Sequence, residues 1–178
     1  VDRCDPSRSR DVNGVEKNSS DYLVLSSLIS NIERGDLSDA ELATLKLGSD
    51  SPAPVLGITG TGGAGKSSLT DEIIRRFRID SDNSAKIAVL AIDPTRRKTG
   101  GALLGDRIRM NSIYDKNIYM RSIATRKSSG EVPSYLTEII AAVKEFDFDL
   151  VIVETPGIGQ GDAGIVPYVD ASMYVCVD

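Results

Sequence analysis

Gly60-Thr61-Gly62-Gly63-Ala64-Gly65-Lys66-Ser67 completes the pattern G-x-x-x-x-G-K-[ST]. Small residues at these spacings let the backbone curl tightly and aim its N–H groups at an anion. Lys66 brings a point charge to the β- and γ-phosphates of a nucleotide, and the Ser67 hydroxyl offers a hard oxygen to Mg²⁺. The nucleotide-binding candidates are therefore Gly60, Thr61, Gly62, Gly63, Ala64, Gly65, Lys66, Ser67 and the adjoining Ser68. A glycine-rich turn can match such a pattern by chance. Here the motif directly follows an apolar run and opens a helical stretch, so the positive helix end faces the anion.

A site of this kind needs a carboxylate at the end of a neighbouring strand, holding Mg²⁺ directly or through water. Glu154 closes the apolar run LVIV and is followed by Thr155-Pro156-Gly157-Ile158-Gly159-Gln160. A carboxylate followed by x-x-Gly is the spacing at which GTPases sense the γ-phosphate through the glycine N–H. An acid ending a strand before a turn is the commoner, purely structural explanation; beside a phosphate loop the functional reading is preferred. The residue is Glu where many GTPases carry Asp, one methylene longer. Asp93 ends a second apolar run, at the carboxyl edge where ligands bind in such sheets. The loop beyond it carries Arg96, Arg97, Lys98, Gly100, Gly101, Gly105 and Asp106. Its three cations read individually as solvated surface. Asp106 serves equally well as a helix cap, and Gln160 either orients an attacking water or is a surface glutamine.

These side chains require a scaffold that brings strand ends together. VLGIT at 55–59, KIAVLAID at 86–93, NIYMRSI at 117–123, DLVIVE at 149–154 and ASMYVCVD at 171–178 read as strands. Helices are expected from about Lys66 to Arg78, around Asp106 to Ile113, and from near Pro133 through Tyr135, Leu136, Ile139, Ile140 and Val143. This alternation predicts an α/β fold, a doubly wound and mostly parallel sheet of a P-loop NTPase. Upstream, residues 1–18 read as a linker or disordered lead-in. A helical prefix over 19–50 follows. Tyr22, Leu25, Leu28, Ile29 and Ile32 recur at helical spacing behind the capping candidates Ser19, Ser20 and Asp21. Gly35 stops that helix. Ser38 and Glu41 form a capping box for a second one through Leu42 and Leu45, with Gly48 near its end. The break SDSPAP at 49–54 puts the start of the nucleotide-binding domain at 51, and that domain runs to 178.

Composition removes several functions. The chain has 178 residues, 40% of them hydrophobic, and 21 basic against 26 acidic side chains for a net charge of −5. An acidic balance disfavours nucleic-acid binding. There is no histidine, which excludes Ser-His-Asp and Cys-His catalysis and histidine metal sites. Cys4 and Cys176 lie at opposite ends, in a charged tail and an apolar strand-like run, and match no metal spacing, so a reduced cytoplasmic compartment is expected. No stretch is long and apolar enough to suggest a membrane span. The first residue is Val rather than Met, which suggests a fragment or an internal domain.

GTGGAGKSS, AIDPTRRKTGGALLGDRIRM and VETPGIGQGD, in this order and spacing from about Val55 to Asp178, closely resemble the MeaB/ArgK GTPases that serve adenosylcobalamin-dependent acyl-CoA mutases. Within that family, RRKTGGALLGDR and GQGD resemble the GTPase domain embedded in fused isobutyryl-CoA mutase. The resemblance implies Mg²⁺-dependent GTP hydrolysis coupled to adenosylcobalamin loading and protection of a methylmalonyl-CoA or isobutyryl-CoA mutase, in cis or in trans. It also implies a homo-oligomer in the intact protein. Carried over by position, Lys66, Glu154, Asp106 and Gln160 are the catalytic candidates. Ser67, Asp93, Asp106 and Glu154 form the metal side, and Gly157 joins the nucleotide-binding set. No N-K-x-D element occurs up to Asp178, so guanine preference rests on the resemblance, and the domain reads as incomplete at its C-terminus. A GTPase of metal-centre assembly, a nucleotide-binding docking module without turnover, and a small-molecule kinase stay open as alternatives.

Overall fold

The computed structural model describes residues 22–47, 52–93, 110–125, 132–157 and 162–177. The apolar runs become β1 (Val55–Gly60), β2 (Ile87–Asp93), β3 (Ile118–Ala124), β4 (Leu150–Glu154) and β5 (Ala171–Val175). They form one five-stranded sheet in the order β3-β2-β4-β1-β5. Every neighbouring pair is parallel. β2 and β4 are buried at every position, as continuous apolar runs covered on both faces should be.

Alternation along each strand feeds two cores. Val55, Ala88, Leu90, Ile92, Tyr119, Ile123, Val151 and Val153 face helices α1 (Tyr22–Arg34), α2 (Asp39–Leu47) and α4 (Leu136–Lys144). Ile58, Ile87, Val89, Met120, Leu150 and Ile152 face α3 (Lys66–Asp80), through Ile74, and the segment holding Met110 and Ile113. Helices on both faces of a parallel sheet make the doubly wound architecture expected above. Among the described residues no helix is long and apolar enough to cross a membrane.

The helical prefix is built by local signals and then buried. Gly35, at φ +74°, ends α1. The Gly35 N–H donates to the Ile32 carbonyl and the Asp36 N–H to the Asn31 carbonyl, a Schellman closure. The capping box forms: the Ser38 N–H donates to Glu41 Oε2 at 2.8 Å, while the Glu41 N–H faces Ser38 Oγ at 3.4 Å. Leu25 and Ile29 are fully buried against the sheet, each stabilising the fold by about 1.5–3 kcal/mol. Tyr22 stacks on Phe148 at 5.8 Å and tilts against Tyr119 at 5.3 Å. Burial pushes the Tyr22 phenol above its ordinary pKa, with the Asp115 charge adding to the effect. At the open edge of β3, Arg121 donates to Glu33 Oε2 at 2.8 Å and the Ala124 N–H faces Glu33 Oε1 at 3.4 Å.

Three local expectations change. Met110–Ile113, expected at the end of a helix, form a bend and a turn, because Asp71 on α3 captures the Ser112 N–H at 2.7 Å. Residues 106–109 of that stretch lie outside the described residues. The last strand stops at Val175, paired with Gly60, where β1 itself turns away. Cys176 therefore lies beyond the strand, exposed and as a free thiol. The fourth helix starts at Leu136 rather than near Pro133, since the Leu136 N–H closes a turn onto the Pro133 carbonyl.

Candidate functional site

The carboxyl edge of the sheet gathers the chemistry. β1 ends at Gly60, whose φ of +137° and approach to β5 admit no side chain: a Cβ there would lie 1.9 Å from the Val175 carbonyl oxygen. Thr61, Gly62 and Gly63 are exposed, and Ala64 closes a turn with its N–H on the Thr61 carbonyl at 3.2 Å. α3 begins at Lys66 behind Gly65, and no side chain caps it. Its first-turn N–H groups thus face the loop, with Ser68 exposed beside them.

Lys66 is 7% exposed and folds back under this loop. Its Nζ donates to the carbonyls of Gly60 and Thr61 at 3.0 and 3.1 Å. Gly157 lies directly over it: a Cβ on Gly157 would stand 2.2 Å from Lys66 Nζ and 2.5 Å from the Gly60 carbonyl oxygen. The Glu154-x-x-Gly157 turn therefore meets the phosphate loop at its base.

Glu154, 6% exposed, ends β4 between Ile58 of β1 and Ala91 of β2. Ser67 Oγ donates to its Oε1 at 2.6 Å and Thr70 Oγ1 to its Oε2 at 3.0 Å. Just beyond, Thr155 Oγ1 donates to Thr59 Oγ1 at 2.9 Å, tying the ends of β4 and β1. Asp93, buried, ends β2 two residues past the Ala91 that pairs with Glu154. The structure thus brings Ser67 and Glu154 into contact and puts Asp93 on the same edge. Asp106, Gln160 and the Arg96, Arg97 and Lys98 loop lie outside the described residues. Thr70, absent from the sequence reading, is the addition. Its signal was there, three residues after Ser67 and four after Lys66, on the same helical face.

Among the described residues no three acidic, cysteine or histidine side chains cluster as a metal cage. The donor set that exists is a hydroxyl in contact with one carboxylate. That suits Mg²⁺, which binds through one or two protein oxygens while phosphates and waters complete its shell. Ser67 and Glu154 fit the ion in kind.

A parallel sheet, a glycine-rich loop after one of its interior strands, a buried lysine opening the next helix and an acid on the adjacent strand define a P-loop nucleotide-binding protein. The chain belongs to the MeaB family: residues 34–178 match the profile described as Methylmalonyl Co-A mutase-associated GTPase MeaB. It is 60% identical over 156 residues to a fused isobutyryl-CoA mutase of Cupriavidus metallidurans, covering 87% of this chain and 14% of that protein. The corresponding protein of Paraburkholderia xenovorans is 64% identical over 126 residues, 68% of this chain and 10% of its own length. A putative GTPase of Pyrococcus abyssi is 42% identical over 126 residues, 70% of this chain and 38% of its own. The chain thus spans a small part of the fused relatives, and the family resemblance drawn from the three motifs is borne out.

Proposed function

We propose that this chain is the GTP-hydrolysing chaperone portion of an adenosylcobalamin-dependent acyl-CoA mutase system, acting in Mg²⁺-dependent conversion of GTP to GDP and phosphate. The observation that carries the reading is the Ser67–Glu154 contact at 2.6 Å beneath a complete phosphate loop with Lys66 buried at its base. Its partner is a mutase of the methylmalonyl-CoA or isobutyryl-CoA type, in cis or in trans, and the cobalamin is bound by that mutase. The intact protein is a cytoplasmic homo-oligomer.

Each residue has a part in the chemistry. The loop N–H groups and Lys66 receive the β- and γ-phosphates, and Lys66 Nζ exchanges its two carbonyl partners for phosphate oxygens. Ser67 and Glu154 would hold Mg²⁺, and Asp93 and Asp106 would serve the same ion. When bound, the ion supplies positive charge across the phosphate oxygens as the γ-phosphoryl group transfers. Gly157, already against Lys66, presents its N–H to the γ-phosphate, and Gln160 orients the attacking water. Aligned donors that need not reorganise supply most of the stabilisation of the developing charge.

Phosphate release with GTP or ATP, with and without Mg²⁺, tests this on the chain and on its Lys66→Ala variant. Mg²⁺-dependent release from GTP, reduced at least about a hundredfold in the variant, supports it. Unchanged release from Lys66→Ala, or equal use of ATP, overturns it. Tight nucleotide binding with no release on adding the mutase leaves a docking module.

A further inference from the structure

Thr70 is fully buried, yet its hydroxyl stands 3.0 Å from Glu154 Oε2 and 3.0 Å from the Lys66 carbonyl oxygen. A hydroxyl has one proton for these two acceptors, and the carboxylate is the stronger. Ser67, one turn earlier on α3, holds the other carboxylate oxygen at 2.6 Å. Two hydroxyls from one helical face therefore grip both oxygens of a single carboxylate that comes from a strand 84 residues away.

We infer that Thr70 is a positioning residue for the cation side of the site. By holding Glu154 Oε2 it fixes the plane of the carboxylate, so that Oε1 stays on Ser67 and faces the phosphate loop. The inference rests on the functional reading above and deepens it. Thr70 lies one turn behind the loop and would touch neither nucleotide nor cation; it acts through Glu154. Hydrogen bonds that orient a metal-binding side chain commonly govern metal affinity by ten- to a hundredfold.

The test is a Mg²⁺ titration of fluorescent GDP-analogue binding to the chain, with a parallel measurement in EDTA and circular dichroism of each variant. Thr70→Val keeps the shape and removes the hydroxyl, and Thr70→Ser restores it. The Mg²⁺ concentration for half-saturation should rise roughly tenfold in the valine variant and return to within about threefold in the serine variant. Nucleotide affinity in EDTA should stay within about twofold throughout. A purely structural role would instead weaken binding in EDTA and with Mg²⁺ alike, and that result overturns the inference. Should the valine variant not fold, Thr70→Ala against Thr70→Ser makes the same comparison. Wild-type binding that ignores Mg²⁺ overturns the functional reading together with this inference. Mg²⁺-dependent wild-type binding with an unmoved, folded Thr70→Val overturns this inference alone.

Discussion

Replacing Gly157 by Ala tests how the Glu154–Gly157 turn meets the phosphate loop. Two costs can be separated. The residue sits at φ +66°, where an L side chain pays about 1–2 kcal/mol. The new methyl would also stand 2.5 Å from the Gly60 carbonyl oxygen, a backbone atom of β1 fixed by its pairing with β5. Forcing that contact apart costs about 1–3 kcal/mol. The nearer neighbour, Lys66 Nζ at 2.2 Å, ends a flexible chain and can swing away, but only by leaving its bonds to Gly60 and Thr61. The expected loss is about 2–5 kcal/mol, read by urea denaturation of the chain. A control isolates the steric part: Gly35 has φ +74° with nothing within 4 Å of its Cβ position. Gly35→Ala should therefore lose only about 1–2 kcal/mol. Nucleotide binding should weaken at least about tenfold in Gly157→Ala and not at all in Gly35→Ala, since tenfold corresponds to about 1.4 kcal/mol. Equal stability losses in the two variants, with nucleotide affinity intact in both, would refute the close approach of Gly157 to Lys66.

Other perturbations have definite outcomes. Ile29→Ala should lower stability by about 2–5 kcal/mol in denaturant titration, because the side chain is fully buried between α1 and the sheet. Glu33→Ala should cost about 1–3 kcal/mol by the same assay, leaving the Arg121 guanidinium and the Ala124 N–H on the β3 edge without that carboxylate. Ser38 hydrogen bonds hold the Glu41 carboxyl below its ordinary pKa, so the cap's contribution is present above the usual glutamate range. It should be lost as pH falls through the lowered value, seen in NMR as fraying of the first turn of α2 before the sheet melts. For Tyr22 the phenol is raised by burial, so its contribution holds below the usual tyrosine range and fades at more alkaline pH. In a spectrophotometric titration, the component lost in Tyr22→Phe should ionise above the ordinary tyrosine range.

Sequence alone determined whatever depends on near neighbours. The phosphate loop is contiguous, so its chemistry can be read from Gly60 to Ser67 without a fold. The Gly35 stop and the Ser38–Glu41 box close through hydrogen bonds spanning five residues or fewer. The apolar runs of β2 and β4 announce burial on both faces. Tertiary structure decided what depends on packing across the chain. No local pattern orders the strands as β3-β2-β4-β1-β5, which alone sets Glu154 between β1 and β2. The turn at Met110–Ile113 replaces a helix because Asp71, 41 residues earlier, takes the Ser112 N–H. Thr70 reads in sequence as an ordinary helical threonine; only the end of β4, 84 residues on, gives its hydroxyl a carboxylate to hold. Short-range hydrogen bonds are specified by spacing, whereas a partner that distant in the chain is chosen by how two cores close on one sheet.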